Sequence, residues 1–157
     1  MTTGLNRAYE LRHIVTLQET NVLGNVYFVN HLAWQGHCRE MFLRDRAPEI
    51  MAALADGLVL ATLKCSCEYF AELGAFDEIV MRMRLAALMP TRLSLVFDYV
   101  RVTGHGEEPV ARGEQQIACL RRLGATCDPC PFPAALIDAL RPYGADALLR
   151  GGSSWPQ

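Results

Sequence analysis

A polar turn that leads directly into a long, mostly apolar segment decides the fold of this sequence. Its residues are Glu19-Thr-Asn-Val-Leu-Gly-Asn-Val-Tyr-Phe-Val-Asn-His-Leu-Ala-Trp-Gln-Gly-His-Cys-Arg-Glu-Met-Phe-Leu43. The turn extends from Gln18 to Gly24, and an α-helix is predicted from Asn30, a common N-cap residue type, to about Arg46. Apolar side chains lie most of the way round the helical wheel, which is typical of a buried helix: Leu32, Ala33, Trp34, Met41, Phe42 and Leu43.

The segments on either side of this helix predict mostly β-strands. Residues 9–17 indicate one strand, and Pro48 begins a short helix over residues 49–55. Four long runs rich in Val, Ile, Leu and Tyr follow, at residues 58–69, 78–89, 92–103 and 110–123. The short breaks between them predict antiparallel hairpins. Pro133 begins a last short helix that ends at Leu140. We therefore predict an α+β fold, in which an antiparallel sheet of five or more strands surrounds one long central helix.

Length and composition limit the classes of protein to consider. The 157 residues predict a single domain over residues 1–157, with loose ends at about 1–8 and 151–157. A net charge of -2 argues against a nucleic-acid partner. No apolar run approaches the ~20 residues that cross a bilayer, and residues 1–10 lack the apolar stretch of a signal peptide. We expect a cytoplasmic protein without a membrane partner.

Six cysteines raise the question of a metal or redox site. The motif Cys127-Asp-Pro-Cys130 has suitable spacing, and Cys65-Ser-Cys67 could supply two further ligands. However, Cys65 and Cys67 lie in a predicted strand and would face the same side of it. The first motif also lacks the strand-to-helix setting of a thioredoxin-type site. We interpret the thiols as packing residues and expect neither a metal nor another cofactor.

The common hydrolase motifs are absent from the sequence. There is no G-x-S-x-G elbow, no H-E-x-x-H pair and no Walker-type glycine loop. The turn and the start of the long helix are the remaining candidates for a site. The first turn of a helix offers unpaired N–H groups and the positive end of the helix dipole, both of which suit a developing negative charge.

The segment from Glu19 to Leu43 resembles hot-dog thioesterases of the 4-hydroxybenzoyl-CoA type, in which an acidic turn D-x-x-G-x-V leads into the central helix. Asn21 occupies the position of the family's catalytic acid. Glu19-Thr20-Asn21, Gly24-Asn-Val-Tyr27 and Cys38-Arg39-Glu40 are similar to one branch, the thioesterases of enediyne polyketide biosynthesis. In that branch an asparagine and a helix arginine act without the acid, which implies that Asn21 and Arg39 are catalytic here.

The same resemblance implies a substrate and an assembly. The substrate would be a long polyene β-ketoacyl thioester on the acyl carrier domain of an iterative polyketide synthase, and decarboxylation would follow hydrolysis. The enzyme would be a homo-oligomer, a dimer or a tetramer, with its sites between subunits. Such a sheet would also leave an edge that symmetric assembly covers.

The chemistry of a thioester suggests further site residues. Attack turns the carbonyl into an oxyanion, and each donor aimed at it contributes roughly 10²–10³ in rate. Tyr27 and Phe28, just before the helix, could donate or bind substrate. Arg39 needs a partner or a developing negative charge, because a buried unpaired guanidinium costs several kcal/mol. Glu40 and Thr62 are further substrate-site candidates, with Thr62 expected to face the turn.

Alternatives remain open for each of these residues. Arg39 could form an ion pair with Glu40 or Glu68, and Asn21 could simply stabilise its own turn. Four side chains could line an acyl channel or belong to the core: Phe28, Trp34, Met41 and Phe42. The alternative functions are an acyl-CoA thioesterase of primary metabolism and a non-catalytic acyl-binding protein.

Overall fold

The computed structural model describes residues 7–144, which form a curled antiparallel sheet and a long central helix. The strands are β1 (Tyr9–Ile14), β2 (Leu58–Tyr69), β3 (Glu78–Leu88), β4 (Arg92–Thr103), β5 (Gly106–Leu123) and β6 (Thr126–Pro129). The helices are α1 (Val29–Arg46), α2 (Glu49–Ala55) and α3 (Ala134–Leu140), and 3₁₀ turns occupy Leu17–Glu19 and Arg141–Tyr143. The predicted α+β class is confirmed.

The order of the strands leaves β2 at one edge of the sheet. The order is β1-β3-β4-β5-β2, with every pair antiparallel, and β6 pairs with β5 beyond the end of β4. Within residues 7–144, β2 pairs with β5 alone. One row of its backbone N–H and C=O groups is therefore available to another strand.

A β-bulge in β2 determines which of its side chains face α1. Thr62 pairs with Ile117 and Lys64 pairs with Gln116, so Leu63 is an extra residue on β2. Side chains alternate along a strand, and one extra residue reverses the alternation. Thr62 before the bulge and Cys65 after it consequently both contact α1 side chains.

Helix α1 differs from the prediction in its start and in its burial. It begins at Val29, and Asn30 is not its N-cap: the Asn30 amide instead donates to the carbonyl of Glu19 at 2.8 Å. Burial follows one stripe rather than the whole circumference. The stripe comprises His31, Trp34, Gln35, Cys38, Phe42 and Leu43, whereas Ala33, His37 and Glu40 are exposed. Hydropathy does not indicate this stripe because two of its residues, His31 and Gln35, are polar.

The remaining differences lie at strand ends. β1 ends at Ile14 because residues 17–19 form a 3₁₀ turn, and β5 begins at Gly106 rather than at residue 110. Pro109 lies where the β4–β5 register shifts, a position that tolerates proline. β6 was not predicted. Of the ends expected to be loose, residues 1–6 and 151–157 lie outside the described residues, and Arg7 packs over the Tyr143 ring.

The core fills the space between α1 and the concave face of the sheet. Its largest fully buried side chains include Phe42 of α1, Met81 and Met83 of β3, and Phe97 and Tyr99 of β4. Among the described helices, none is long and apolar enough to cross a membrane.

Candidate active site

The turn before α1 is organised around Asn21. Its main-chain oxygen accepts from Gly24 N at 2.9 Å, and its side-chain oxygen accepts from Leu23 N at 2.9 Å, which is an Asx turn. Gly24 has a φ of +87°, where a glycine is strongly preferred. The local role expected for Asn21 is therefore real. Its amide nitrogen forms no hydrogen bond within residues 7–144, so a donor is still available at this position.

Glu19 fixes this turn to α1 and was not predicted as a site residue. Its carboxylate accepts from Thr16 N at 2.7 Å, Trp34 Nε1 at 2.8 Å and His13 Nε2 at 2.9 Å. Burial acts to raise the pKa of Glu19, but these hydrogen bonds outweigh it and lower the pKa below 4.5. The spacing Thr16-x-x-Glu19 matches a capping box and could have identified Glu19 from the sequence.

The start of α1 retains unpaired backbone donors. Tyr27 N donates to the carbonyl of Glu19 at 2.9 Å, so the expected oxyanion donor at Tyr27 is already engaged. Among the hydrogen bonds of residues 7–144, none uses the N–H of Phe28 or Val29. The Tyr27 and Phe28 rings are about half exposed and pack against each other at 4.8 Å. The backbone of Phe28, rather than that of Tyr27, can therefore donate to an oxyanion.

Arg39 is half-buried and is held by neutral groups. Its Nη1 donates to Thr62 Oγ1 and to Gln115 Oε1, each at 3.0 Å. Burial lowers the pKa of Arg39, and the nearby Glu40 acts in the opposite direction. Glu40 is exposed, and Arg39 forms no salt bridge within residues 7–144, so the alternative of an ion pair with Glu40 or Glu68 is not observed. Thr62 faces Arg39 and not the turn.

A chain of buried amides continues from Arg39. Gln115 is 3% exposed and Gln35 is fully buried; Cys65 Sγ donates to Gln35 Oε1 at 3.1 Å. Gln35 Nε2 donates to the carbonyl of Ser66 at 3.0 Å. A Cβ at Gly113 would overlap Gln35, so glycine permits this close packing. The oxygen of Gln115 thus has a fixed position beside the guanidinium.

An apolar seam lies beneath Arg39, between α1, the sheet and α3. It holds only about 20 Å³ of free space. Its lining consists of Phe42, Leu43, Leu60, Leu93, Leu95, Ile117, Phe132, Leu136 and Leu140. Of the four side chains expected to line a channel, Phe42 lies here and Phe28 lines a second cavity near the turn. Trp34 is buried against Glu19, and Met41 packs on the core.

Asn21 and Arg39 do not meet within one chain. Arg39 follows the first residue of α1 by ten positions, which corresponds to about 15 Å along the helix axis. Asn21 lies still earlier, in the turn before the helix, and the two side chains have no common hydrogen-bond partner among residues 7–144. The described part of one chain therefore does not bring these two side chains together.

The thiols are spread over separate parts of the fold. Cys119 Sγ lies 3.6 Å from Cys130 Sγ, whereas Cys127 is exposed on β6. No group of three or more His, Cys, Asp or Glu residues within residues 7–144 is arranged to hold a metal ion. Burial raises the pKa of the Cys38 thiol to about 12 and that of Cys67 to about 11.

Comparison with known proteins identifies the class to which this fold and site belong. The model of the thioesterase-like superfamily matches residues 15–140. The chain therefore belongs to this superfamily and is a thioester hydrolase with the hot-dog fold, as the resemblance implied. A comparison with curated protein sequences gives no match.

Solved structures add detail. The dynemicin thioesterase is 50% identical to this chain, with a TM-score of 0.84. The match covers 87% of this chain and 97% of that one. Crystal structures of the dynemicin thioesterase reveal induced-fit and allosteric effects upon polyene binding. A 4-hydroxybenzoyl-CoA thioesterase in complex with 4-hydroxybenzoyl-CoA is 14% identical, with a TM-score of 0.76 and coverage of 85% and 99%. A 1,4-dihydroxy-2-naphthoyl-CoA thioesterase from Synechocystis is 18% identical, with a TM-score of 0.70 and coverage of 85% and 95%. The 4-hydroxybenzoyl-CoA and 1,4-dihydroxy-2-naphthoyl-CoA thioesterases support the hot-dog fold of this chain.

Proposed function

We propose that this thioesterase releases a long polyene β-ketoacyl chain from the acyl carrier domain of an iterative enediyne polyketide synthase. The observation that carries the proposal is the half-buried guanidinium of Arg39, which lies above an apolar seam. Its hydrogen-bond partners, Thr62 and Gln115, are both neutral. The 50% identity to the dynemicin thioesterase supports the assignment to enediyne biosynthesis. Such a reaction suits the cytoplasm, where we expect the synthase to work.

The chemistry follows from the positions of the donors. Water attacks the thioester carbonyl, and the carbonyl oxygen takes up the negative charge. Arg39 of one subunit and the free N–H of Phe28 of another stabilise this oxyanion, while the Asn21 amide, on the same subunit as Phe28, orients the water or the carbonyl. General base catalysis contributes roughly 10²–10⁴ in rate, so a site without a carboxylate turns over slowly. The β-keto acid that is released can then lose carbon dioxide.

The apolar seam beneath Arg39 is the proposed channel for the polyene. With about 20 Å³ of free space it must open before a long chain enters. Helix α3 and Phe132 form its outer wall, and their displacement would widen it. The induced fit described for polyene binding to the dynemicin thioesterase supports an opening of this kind.

A second copy of the chain would complete the site. Asn21 and Arg39 share no hydrogen-bond partner within residues 7–144, whereas Asn21 of one subunit could face Arg39 of another. The edge of β2 that is unpaired within residues 7–144 and several exposed apolar side chains support this assembly. These side chains include Val22, Leu23, Tyr27, Phe28, Phe70 and Phe76. We expect sedimentation experiments to show a dimer or tetramer at micromolar concentration. A protein that sediments as a monomer and is still active would contradict this assembly.

The test of function compares carrier and coenzyme substrates. We expect the wild type to hydrolyse a polyene β-ketoacyl thioester on a carrier domain faster than the matching CoA thioester. Preference for CoA esters would favour an acyl-CoA thioesterase of primary metabolism. The Asx turn, which accounts for Asn21 without catalysis, favours the other alternative, a non-catalytic acyl-binding protein. Tight binding without hydrolysis of either thioester would support that alternative.

A further inference from the structure

Unpaired buried polar atoms converge on one cavity next to the turn. Among residues 7–144, the buried side-chain polar atoms without a hydrogen-bond partner are Asn25 Oδ1 and both ring nitrogens of His31. Both residues line the same cavity, which has a volume of about 280 Å³ and is separate from the seam beneath Arg39. An unpaired buried polar group destabilises the fold, so two such residues at one cavity indicate that a ligand supplies their partners.

The His31 ring is held rigidly in its place. It is 3% exposed, and its centroid lies 5.0 Å from that of Trp34 and 4.8 Å from that of Tyr69. The hydroxyl of Tyr99 donates to the His31 carbonyl at 2.6 Å, which also fixes the main chain. Burial lowers the pKa of His31 below 6.5, and the neighbouring main chain of Phe28 acts in the opposite direction. The ring is therefore a neutral imidazole with one N–H donor at neutral pH.

The location of His31 connects this cavity to the reacting thioester. His31 is the third residue of α1, and Phe28, whose N–H is the free donor for the oxyanion, lines the same cavity. A thioester carbonyl bound at Phe28 therefore has its neighbouring atoms close to the wall that His31 forms. Tyr69 and Phe70 also line the cavity, and their aromatic side chains suit the carbon atoms next to the thioester carbonyl.

We propose that His31 is a specificity-determining residue that recognises the β-oxygen of a β-ketoacyl thioester. The imidazole N–H donates to this oxygen, and Asn25 Oδ1 accepts from the hydroxyl of the enol form. An acyl chain without a β-oxygen leaves both groups unpaired, and sites built to bond a polar group reject analogues that lack it. This inference rests on the proposed hydrolysis of β-ketoacyl thioesters and adds the residue that selects them.

The test uses two N-acetylcysteamine thioesters of equal chain length, one 3-oxoacyl and one saturated. We expect wild-type kcat/KM to favour the 3-oxo substrate by about tenfold or more. His31→Phe, which keeps an aromatic ring, should lower kcat/KM about tenfold for the 3-oxo substrate and less than about threefold for the saturated one. His31→Gln, which keeps a donor, should retain most of the preference. His37→Phe, on the exposed face of α1, should change neither value.

Several outcomes would overturn the inference. Equal losses on both substrates in His31→Phe would mean that the ring only supports the fold, and no loss would mean that it does not contact the chain. If His31→Phe does not fold, the wild type and His31→Gln still test the proposal. A wild type that does not prefer the 3-oxo substrate would contradict it. A His31→Gln variant that loses activity equally on both substrates would contradict it as well. A wild type that hydrolyses neither substrate would instead refute the proposed function itself.

Discussion

The guanidinium of Arg39 and the amide oxygen of Gln115 form a hydrogen bond of 3.0 Å, so the arginine is oriented by a group without charge. Thr62, the other partner, is also neutral. A carboxylate at either position would orient Arg39 equally well but would neutralise its charge. Neutral partners therefore fix the guanidinium while leaving its positive charge available to an oxyanion.

Gln115→Glu tests this arrangement, because it keeps the size of the side chain and adds a negative charge beside Arg39. We expect kcat to fall by about tenfold or more with little change in KM, while the thermal stability is maintained by the new ion pair. Steady-state kinetics and a melting curve would provide both values. Gln116→Glu is the matched control, since this neighbour on β5 faces the other side of the sheet and should retain activity.

A Gln115→Glu variant with wild-type kcat would contradict the proposed role of the neutral partners. A variant with reduced stability and proportionally reduced activity would indicate only a damaged fold.

The sequence predicted the helices and most strands, because periodicity and Pro or Gly boundaries are local signals. It did not predict the partners of Arg39. Gln115 lies 76 positions away, and Thr62 and Cys65 both face α1 only because Leu63 bulges out of β2. A bulge leaves little trace in a run of β-forming residues, so the predicted alternation could not assign these faces.

In the turn, by contrast, a local sequence signal does indicate a site residue that was not predicted, Glu19. Asn21 was identified through resemblance, yet Glu19 makes the contacts that hold the turn against α1. The capping-box spacing Thr16-x-x-Glu19 was present in the sequence. Asn30 has the residue type of an N-cap, but its amide binds the Glu19 carbonyl and does not cap the helix.

Subunit complementation tests whether Asn21 and Arg39 act from different chains. Asn21→Ala and Arg39→Ala should each lose most of their activity as separate proteins. After denaturation and refolding together, mixed oligomers would contain sites with an intact Asn21 from one subunit and an intact Arg39 from the other. We expect activity to recover to about a quarter of the wild-type value if dimers assemble at random.

The control for complementation is each variant refolded alone, which should remain inactive. If the mixture recovers no activity although mixed oligomers have formed, both residues act within one chain or do not cooperate at all.

The burial of His31 predicts how stability depends on pH. Its folded-state pKa is lowered from the ordinary 6.5, so below this pH the unfolded chain binds the proton more readily than the folded one. The stabilisation is fully present above about pH 6.5 and is lost as the pH falls through the folded-state pKa. We expect the melting temperature to decrease more steeply between about pH 7 and about pH 5.5 in the wild type than in His31→Gln. Identical slopes would contradict the buried neutral imidazole.

The most direct test of the central claim is the steady-state kinetics of Arg39→Ala on a β-ketoacyl thioester, measured together with its melting temperature. If Arg39 stabilises the oxyanion, kcat should fall by roughly 10²-fold or more, KM should change little, and the protein should remain folded. Arg39→Lys should restore little, because lysine lacks the planar fork that bonds Thr62 and Gln115. A folded Arg39→Ala variant with wild-type kcat would contradict the claim.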